Sequence, residues 1–260
     1  MTPSPLILGH RGASAIAPEN TLAAFERAMS DGADGIEFDV RLSRDQVPVV
    51  IHDASLKRTG LLDKHVSQLT AKELGEIDVG RWFAERSDAP TQFTGEFLPN
   101  LAQVFELFNG NNGVLYVEMK CEPNEGAKLA AEVVRVTREF KMTERVVVES
   151  FDLTAIDAIK KADASIRTAA LFEPRLAHPI AAIRGLKMVE LARECGADEV
   201  ALHHSIALAS TIRKAEAAGL ATVVWTVEDP RWISKARSLG IKALIANDPA
   251  RLVRHRDSSV

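Results

Sequence analysis

The stretch LGHRGASAIAPENTLAAFERAMSDGADGIEFDVRLSRDQVPVVIHD, Leu8 to Asp53, decides how the rest of the chain is read. The apolar run leading into it, Leu6-Ile7-Leu8-Gly9, has the continuous hydrophobicity of a strand buried on both faces and delivers His10-Arg11-Gly12 at its end. Pro18-Glu19-Asn20-Thr21 then opens a helix, with Asn20 or Thr21 as its cap and Leu22, Phe25, Ala28 and Met29 as its apolar stripe. Asp31-Gly32 ends it. Ile36 to Leu42 alternates strictly: Ile36, Phe38, Val40 and Leu42 share one face, and Glu37, Asp39 and Arg41 the other. Ser43-Arg44-Asp45-Gln46 is a turn, and Val47 to His52 a second strand. So short a connection forces an antiparallel hairpin, because a parallel crossover needs a dozen residues or more. A turn centred between Arg44 and Asp45 sets Glu37 opposite His52, with Cα atoms roughly 4.5–5.5 Å apart.

Working outward, residues 54–98 are polar and irregular, with a short capped helix at Thr70–Leu74 and an aromatic patch at Arg81-Trp82-Phe83. Helical spacing resumes at Pro99–Asn109. From Gly113 the pattern is regular, with strands expected at Val114–Lys120, Val146–Glu149, Arg167–Phe172, Glu199–Leu202, Ala221–Thr226 and Ala243–Ala246. Helices separate them, at Gly126–Phe140, Leu153–Lys161, within Pro179–Cys195, at Ile206–Ala218 and at Pro230–Leu239, and a terminal helix opens at Asn247-Asp248-Pro249. That makes nine strand candidates. The returning arm of the hairpin runs the wrong way for a parallel barrel, and removing it leaves eight. The expected fold is therefore α/β, a (β/α)₈ TIM barrel over residues 1–260. A β-hairpin extension follows its second strand, and 54–98 is an insertion over the rim. The tail from His255 to Val260 is expected to fray.

Composition narrows the function classes. The 260 residues are 46% hydrophobic and 26% charged, with a formal net charge of -4 and no long basic run, so no nucleic-acid footprint is expected. Two distant cysteines, Cys121 and Cys195, offer neither a disulfide framework nor a zinc knuckle. The N-terminal MTPSPLILGHRG does not read as a cleavable signal, and no apolar stretch is long enough for a membrane span. A cytoplasmic enzyme is the expectation.

Strand ends are where barrels keep their chemistry. Glu37 and Asp39 share a face, and Glu118 adds a third carboxylate near the end of the next barrel strand. Anions gathered this closely need a cation. An all-oxygen set suits a hard divalent ion, Mg²⁺ or Ca²⁺, better than zinc, although salt bridges to Arg11, Arg41 or Lys120 would also balance the charge. His10 and His52 flank these acids as an acid–base pair, since imidazole titrates near neutrality, while either alone could be a structural hydrogen-bonder. Arg11 and Lys120 beside the acids suggest a phosphate bridging to the metal. Phe151 and Trp225 are flat apolar walls at the mouth, or core. At most one of His203 and His204 reaches the site, and Cys121 is a bystander.

These motifs resemble a known family, the glycerophosphodiester phosphodiesterases. The matching residues are His10-Arg11-Gly12, Pro18-Glu19-Asn20-Thr21, Gly32 through Val40, Val49-Val50-Ile51-His52-Asp53, Leu56-x-Arg58-Thr59, Val117-Glu118-Met119-Lys120, Ser150-Phe151, Val224-Trp225-Thr226-Val227 and Ala246-Asn247-Asp248-Pro249. The resemblance implies a barrel, a divalent metal, and hydrolysis of glycerophosphodiesters to glycerol 3-phosphate and an alcohol. By it, His10 and His52 are the acid–base pair, Glu37, Asp39 and Glu118 bind the metal, Arg11 and Lys120 hold the phosphate, and Phe151 and Trp225 pack against the glycerol or its neighbour. The nucleophile is water or the substrate's own 2-hydroxyl. Gln46 departs from the family's usual Gly, which implies a wider hairpin turn. The competing readings are a phosphodiesterase for lysophospholipids or phosphoinositides, with Trp82 and Phe83 in an apolar lid, and a non-catalytic phosphate-ligand barrel. A metal-dependent sugar isomerase fits the clustered cations less well.

Overall fold

Alternation along the strands and 3.6-residue periodicity between them close a barrel in the computed structural model, which describes residues 4–85, 93–174 and 181–258. Met1 to Pro3 of the N-terminal segment, residues 86–92 of the insertion, the Pro179 start expected for one helix and the last two residues of the tail lie outside the described residues. The elements run β1 (Leu6–His10), α1 (Leu22–Ser30), β2 (Gly35–Leu42), β3 (Pro48–Val50), the short helices α2 (Ala71–Leu74) and α3 (Arg81–Ala84), α4 (Leu101–Leu107), β4 (Val114–Met119), α5 (Gly126–Glu139), β5 (Val146–Ser150), α6 (Leu153–Ala162), β6 (Arg167–Phe172), α7 (Ala181–Glu194), β7 (Glu199–His203), α8 (Ala209–Ala217), β8 (Ala221–Trp225), α9 (Trp232–Leu239), β9 (Ala243–Ala246) and α10 (Pro249–Asp257). The sheet order is β1-β9-β8-β7-β6-β5-β4-β2-β3, and a β1–β2 pairing closes the ring. All barrel pairings are parallel; only β3, paired to β2, is antiparallel. The eight parallel strands are thus a TIM barrel, with β3 as the expected hairpin arm.

The strand parity separates the layers. Ile36, Phe38 and Val40 of β2, with Leu115 and Val117 of β4, pack outward against α1 and α5 through Phe25, Leu129 and Val133. Leu8, Tyr116, Val147, Leu171, Val223 and Ile245 fill the interior. Burying the outward face of β2 is what turns Glu37 and Asp39 inward, where they are 2% and 0% exposed.

The hairpin register differs from expectation by one residue. Val40 pairs with Val50, Arg41 with Val49 and Leu42 with Pro48, and the Ile51 N–H donates to the Asp39 carbonyl at 3.0 Å. The cause is the turn. Gln46 adopts φ +63°, the Ser43 N–H donates to the Val47 carbonyl, and the Gln46 N–H donates to the Ser43 carbonyl. This is a three-residue loop ending in a left-handed residue, which lengthens the connection by one. His52 is therefore not the ladder partner of Glu37. The strand ends at Val50, and the bend after it carries His52 to the barrel mouth by another route.

Three smaller expectations also resolve. Thr21, not Asn20, caps α1, its hydroxyl accepting from the Ala24 N–H at 3.2 Å. The chain does not fray at His255: α10 continues to Asp257, and Arg256 pairs with Asp34 at the foot of β2. Among the described residues no helix is long and apolar enough to cross a membrane. The described part of 54–98 packs Leu56, Val66, Leu74 and Leu98 against Val49 and Ile51 of the hairpin.

Gly35 shows how closely β2 and β4 approach. A Cβ there would fall 2.0 Å from the Val114 carbonyl oxygen. Gly35→Ala is expected to cost about 3 kcal/mol in chemical denaturation, the upper end of ordinary overpacking. Gly110→Ala, where an added carbon meets nothing within 4 Å, should change stability by less than about 0.5 kcal/mol. Equal stability of the two variants would contradict this packing.

Candidate active site

The C-terminal ends of β1, β2, β4, β5 and β8 surround a cavity of about 120 Å³ lined by His10, Arg11, Glu37, His52, Glu118, Lys120, Glu149, Phe151, Glu173 and Trp225, among others. The structure brings together every residue proposed from sequence except Asp39, which lies buried alongside. In the strand ladders His10 partners Glu37, Asp39 partners Glu118, and Glu118 partners Glu149.

Glu37, Glu118 and Glu149 each offer an oxygen, all within 4.8 Å of one another, and all three residues are buried. Burial lifts Glu37 well above the usual carboxylate range, with the charges of Asp39 and Glu118 adding to it. Burial likewise raises Glu118 to about 7 against the opposing pull of Lys120. Glu149 is pushed well above the usual range by burial and then by Glu37, Glu118 and Glu199. Such a cluster could hold a divalent cation, whose charge would remove the repulsion.

Asp39 behaves differently. Burial would raise it, but Arg11, Lys120 and His52 hold it well below the usual range. The Arg11 Nε lies 3.1 Å from its Oδ2 and the Lys120 Nζ 3.3 Å from its Oδ1. Asn20 adds a donor at 2.8 Å from Nδ2 to Oδ2 and accepts from the Asp39 N–H at 3.3 Å. Arg11 and Asn20 both take left-handed backbone conformations, φ +53° and +60°. Such conformations are rare outside glycine and concentrate at functional sites. Here they aim the guanidinium and the carboxamide at the same carboxylate. The Arg11 N–H donates to Glu37 Oε2 at 3.1 Å, and its Nη1 pairs with Glu19 at 2.9 Å. Lys120 also pairs with Glu118 at 2.6 Å.

The histidines stand in unlike settings. His10 Nδ1 donates to Asn247 Oδ1 at 2.6 Å, since a carboxamide oxygen can only accept. Ser14 Oγ donates to the same oxygen, and Asn247 Nδ2 donates to Glu228 at 2.8 Å, which fixes the amide's orientation. That leaves Nε2 of His10 unprotonated, 3.8 Å from Glu37 Oε2. Burial, then Arg11, lowers His10 to about 4. His52 Nδ1 faces Asp53 Oδ1 at 2.7 Å, and Arg58 holds Asp53 Oδ2 at 2.7 Å. Burial lowers His52 as well, opposed by Asp39 and Asp53.

Phe151 and Trp225 meet edge to face at 5.7 Å, and the Lys120 ammonium sits 5.6 Å from the Phe151 ring. His203 stands edge-on to Trp225 at 5.2 Å, with the His204 ring tilted against it at 4.2 Å, and the cavity lining includes neither. Burial pushes the Cys121 thiol up to about 12, consistent with a bystander. Trp82 lies under the Arg58 guanidinium, 5.5 Å from its ring centroid, and Phe83 packs between Trp82 and Phe93. Arg58 in turn makes a paired contact with Glu19 at 2.8 Å.

Sequence reading passed over Glu149, and it quoted Asn247, Glu19, Arg58 and Asp53 within the matching motifs without giving them a role. Parity could have found the first, since Val147, Glu149 and Phe151 share a face and Phe151 was placed at the mouth. No periodic signal marks the loop residues.

Known proteins share this fold. Residues 10–251 match the model of the glycerophosphoryl diester phosphodiesterase family. A glycerophosphodiester phosphodiesterase of Caldanaerobacter subterraneus subsp. tengcongensis is 29% identical over 248 residues, covering 95% of this chain and 96% of its own. A phosphodiesterase of Oleispira antarctica, solved in complex with the product sn-glycerol-3-phosphate, superposes with a TM-score of 0.85 at 25% identity, covering 98% of this chain and 97% of that one. A glycerophosphodiester phosphodiesterase of Thermotoga maritima gives 0.75 at 27% identity, covering 98% and 99%. With the family model matching residues 10–251, nearly the whole barrel, the chain belongs to the glycerophosphoryl diester phosphodiesterase family.

Proposed function

We propose that this phosphoric diester hydrolase converts glycerophosphodiesters to glycerol 3-phosphate and an alcohol, with a bound divalent cation and with His10 and His52 moving the protons. The observation that carries the reading is one cavity lined by two oppositely supported imidazoles, three buried carboxylates, Arg11 and Lys120. The product held by the Oleispira relative is the one this reaction would release.

The donor set fits a hard cation. Oxygens of Glu37, Glu118 and Glu149 lie within 4.8 Å of one another, all three residues are buried with Asp39 alongside, and Glu149 Oε2 has no hydrogen-bond partner. Glu37, Asp39 and Glu118 would hold Mg²⁺ or Ca²⁺, ions that prefer oxygen ligands. When bound, the ion supplies positive charge against the phosphate oxygens. Arg11 and Lys120 supply the remainder, drawing non-bridging oxygens toward their fixed donors. Phe151 and Trp225 form the apolar corner that seats the glycerol.

His10 is the base. Its Nδ1–H is committed to Asn247, its Nε2 carries a free lone pair, and burial keeps the ring neutral. It takes the proton of the attacking hydroxyl, from water or from the substrate's own 2-hydroxyl by way of a cyclic phosphate. A new P–O bond forms as the bond to the alcohol oxygen breaks. His52 is the acid. Burial lowers its pKa, but Asp53, held by Arg58, opposes this and favours the imidazolium, whose proton goes to the departing oxygen.

Phosphorus NMR of products from glycerophosphocholine, with a lysophospholipid compared in parallel, tests the reading. Glycerol 3-phosphate from the former and little turnover of the latter is expected. Phosphocholine as product, or faster turnover of the lysolipid, would contradict it.

A second check concerns Asn247. Asn247→Asp places an anion against His10 Nδ1, which favours the imidazolium and raises the pKa of the base. A base works deprotonated, so the acid limb of kcat/KM should move to higher pH, by about one unit or more. An unmoved limb would separate Asn247 from the protonation state of His10.

A further inference from the structure

We propose that Glu149 is a direct ligand of the cation, joining the site from β5. The inference rests on the metal-dependent reading above and adds a residue to it. Glu149 is 1% exposed and lines the cavity, and its Oε2 is buried without a hydrogen-bond partner. A buried polar atom left unmatched is costly and calls for a ligand. Among the described residues no cation forms an ion pair with it. Lys120 is engaged by Glu118 and Asp39, and Arg11 by Asp39 and Glu19. Below it, Lys242 and Arg167 are taken by Glu199, which also receives the Tyr116 hydroxyl at 2.8 Å. Glu149 is instead the strand neighbour of Glu118, and its oxygen meets those of Glu37 and Glu118 within 4.8 Å. Asp39, already held by Arg11, Lys120 and Asn20, has less freedom to turn toward an ion. A carboxylate from β5 thus offers the ion a harder, more anionic cage than the acids of β2 and β4 alone.

The test is calorimetric titration of Mn²⁺ and Ca²⁺ into the chelator-stripped full chain, wild type against Glu149→Gln. Thermal melts without metal establish that the variant is folded. The amide keeps the shape and removes the charge. The expected result is at least fivefold weaker binding of both ions and a smaller metal-induced rise in Tm. A smaller loss of affinity in a folded variant overturns the assignment of Glu149 and leaves the metal reading standing. Failure of wild type itself to bind either ion overturns both. If Glu149→Gln does not fold, Glu149→Asp, which keeps the charge and retracts the oxygens, should still weaken binding fivefold or more. Wild-type affinity in it would overturn the proposal.

Discussion

His10→Ala is expected to lower kcat by about 10³-fold, within the range that a positioned acid or base contributes, while KM changes little. The imidazole is the sole group at the end of β1 that offers the cavity a free basic nitrogen, and its environment makes it one. Burial holds its pKa near 4, so at neutral pH it is unprotonated and ready. Its Nδ1–H donates to an amide oxygen that also accepts from Ser14, while the amide nitrogen donates to Glu228. His52→Ala should lose a similar factor for natural substrates, because an alkoxide leaves poorly without a proton. Steady-state kinetics on glycerophosphocholine measures both. Near wild-type turnover in either variant would remove that histidine from the proton transfers.

Glu118→Gln should lose about 10³-fold in activity, the several kcal/mol attributed to metal charge stabilisation in phosphoryl chemistry, and chelation of wild type should do the same. A stability effect of opposite sign accompanies it. In the folded, metal-free protein Glu118 has a pKa of about 7 against an ordinary 4.5, burial being the chief cause. The folded state therefore binds more protons than the unfolded state between those values, and stability falls as pH rises through that window. Glu37 and Glu149 act in the same direction. His10, depressed to about 4, acts oppositely between about 4 and 6.5. The difference between Glu118→Gln and wild type isolates the carboxylate. Without metal, the variant should lose less stability between pH 4.5 and 7, read by denaturant titration. Identical pH profiles would mean that burial does not raise the Glu118 pKa.

Much of the fold and half of the site's logic were legible in the residues. Eight parallel strands emerged because the short Ser43–Gln46 connection forces β3 to run antiparallel. Strict alternation in β2 fixed which side Glu37 and Asp39 face, since Ile36, Phe38 and Val40 must meet the helices. The register failed because Gln46 adopts a left-handed conformation that its side chain does not advertise. His52 still arrives at the mouth, because the bend after Val50 rather than the ladder directs it. Glu149 was hidden at the end of an apolar run, where strand parity was not followed through to Phe151. Asn247, Glu19, Asp53 and Arg58 come from loops, where direction is set by tertiary hydrogen bonds and no sequence period encodes it.

The proton division between the two histidines meets its most direct test in leaving-group dependence. Replacing the alcohol of the substrate by p-nitrophenol provides an anion that departs unprotonated. With this ester His52→Ala should regain most of its lost rate relative to wild type, while His10→Ala should remain depressed by about the same factor as on glycerophosphocholine. Recovery of His10→Ala instead of His52→Ala, or of both alike, would contradict the account.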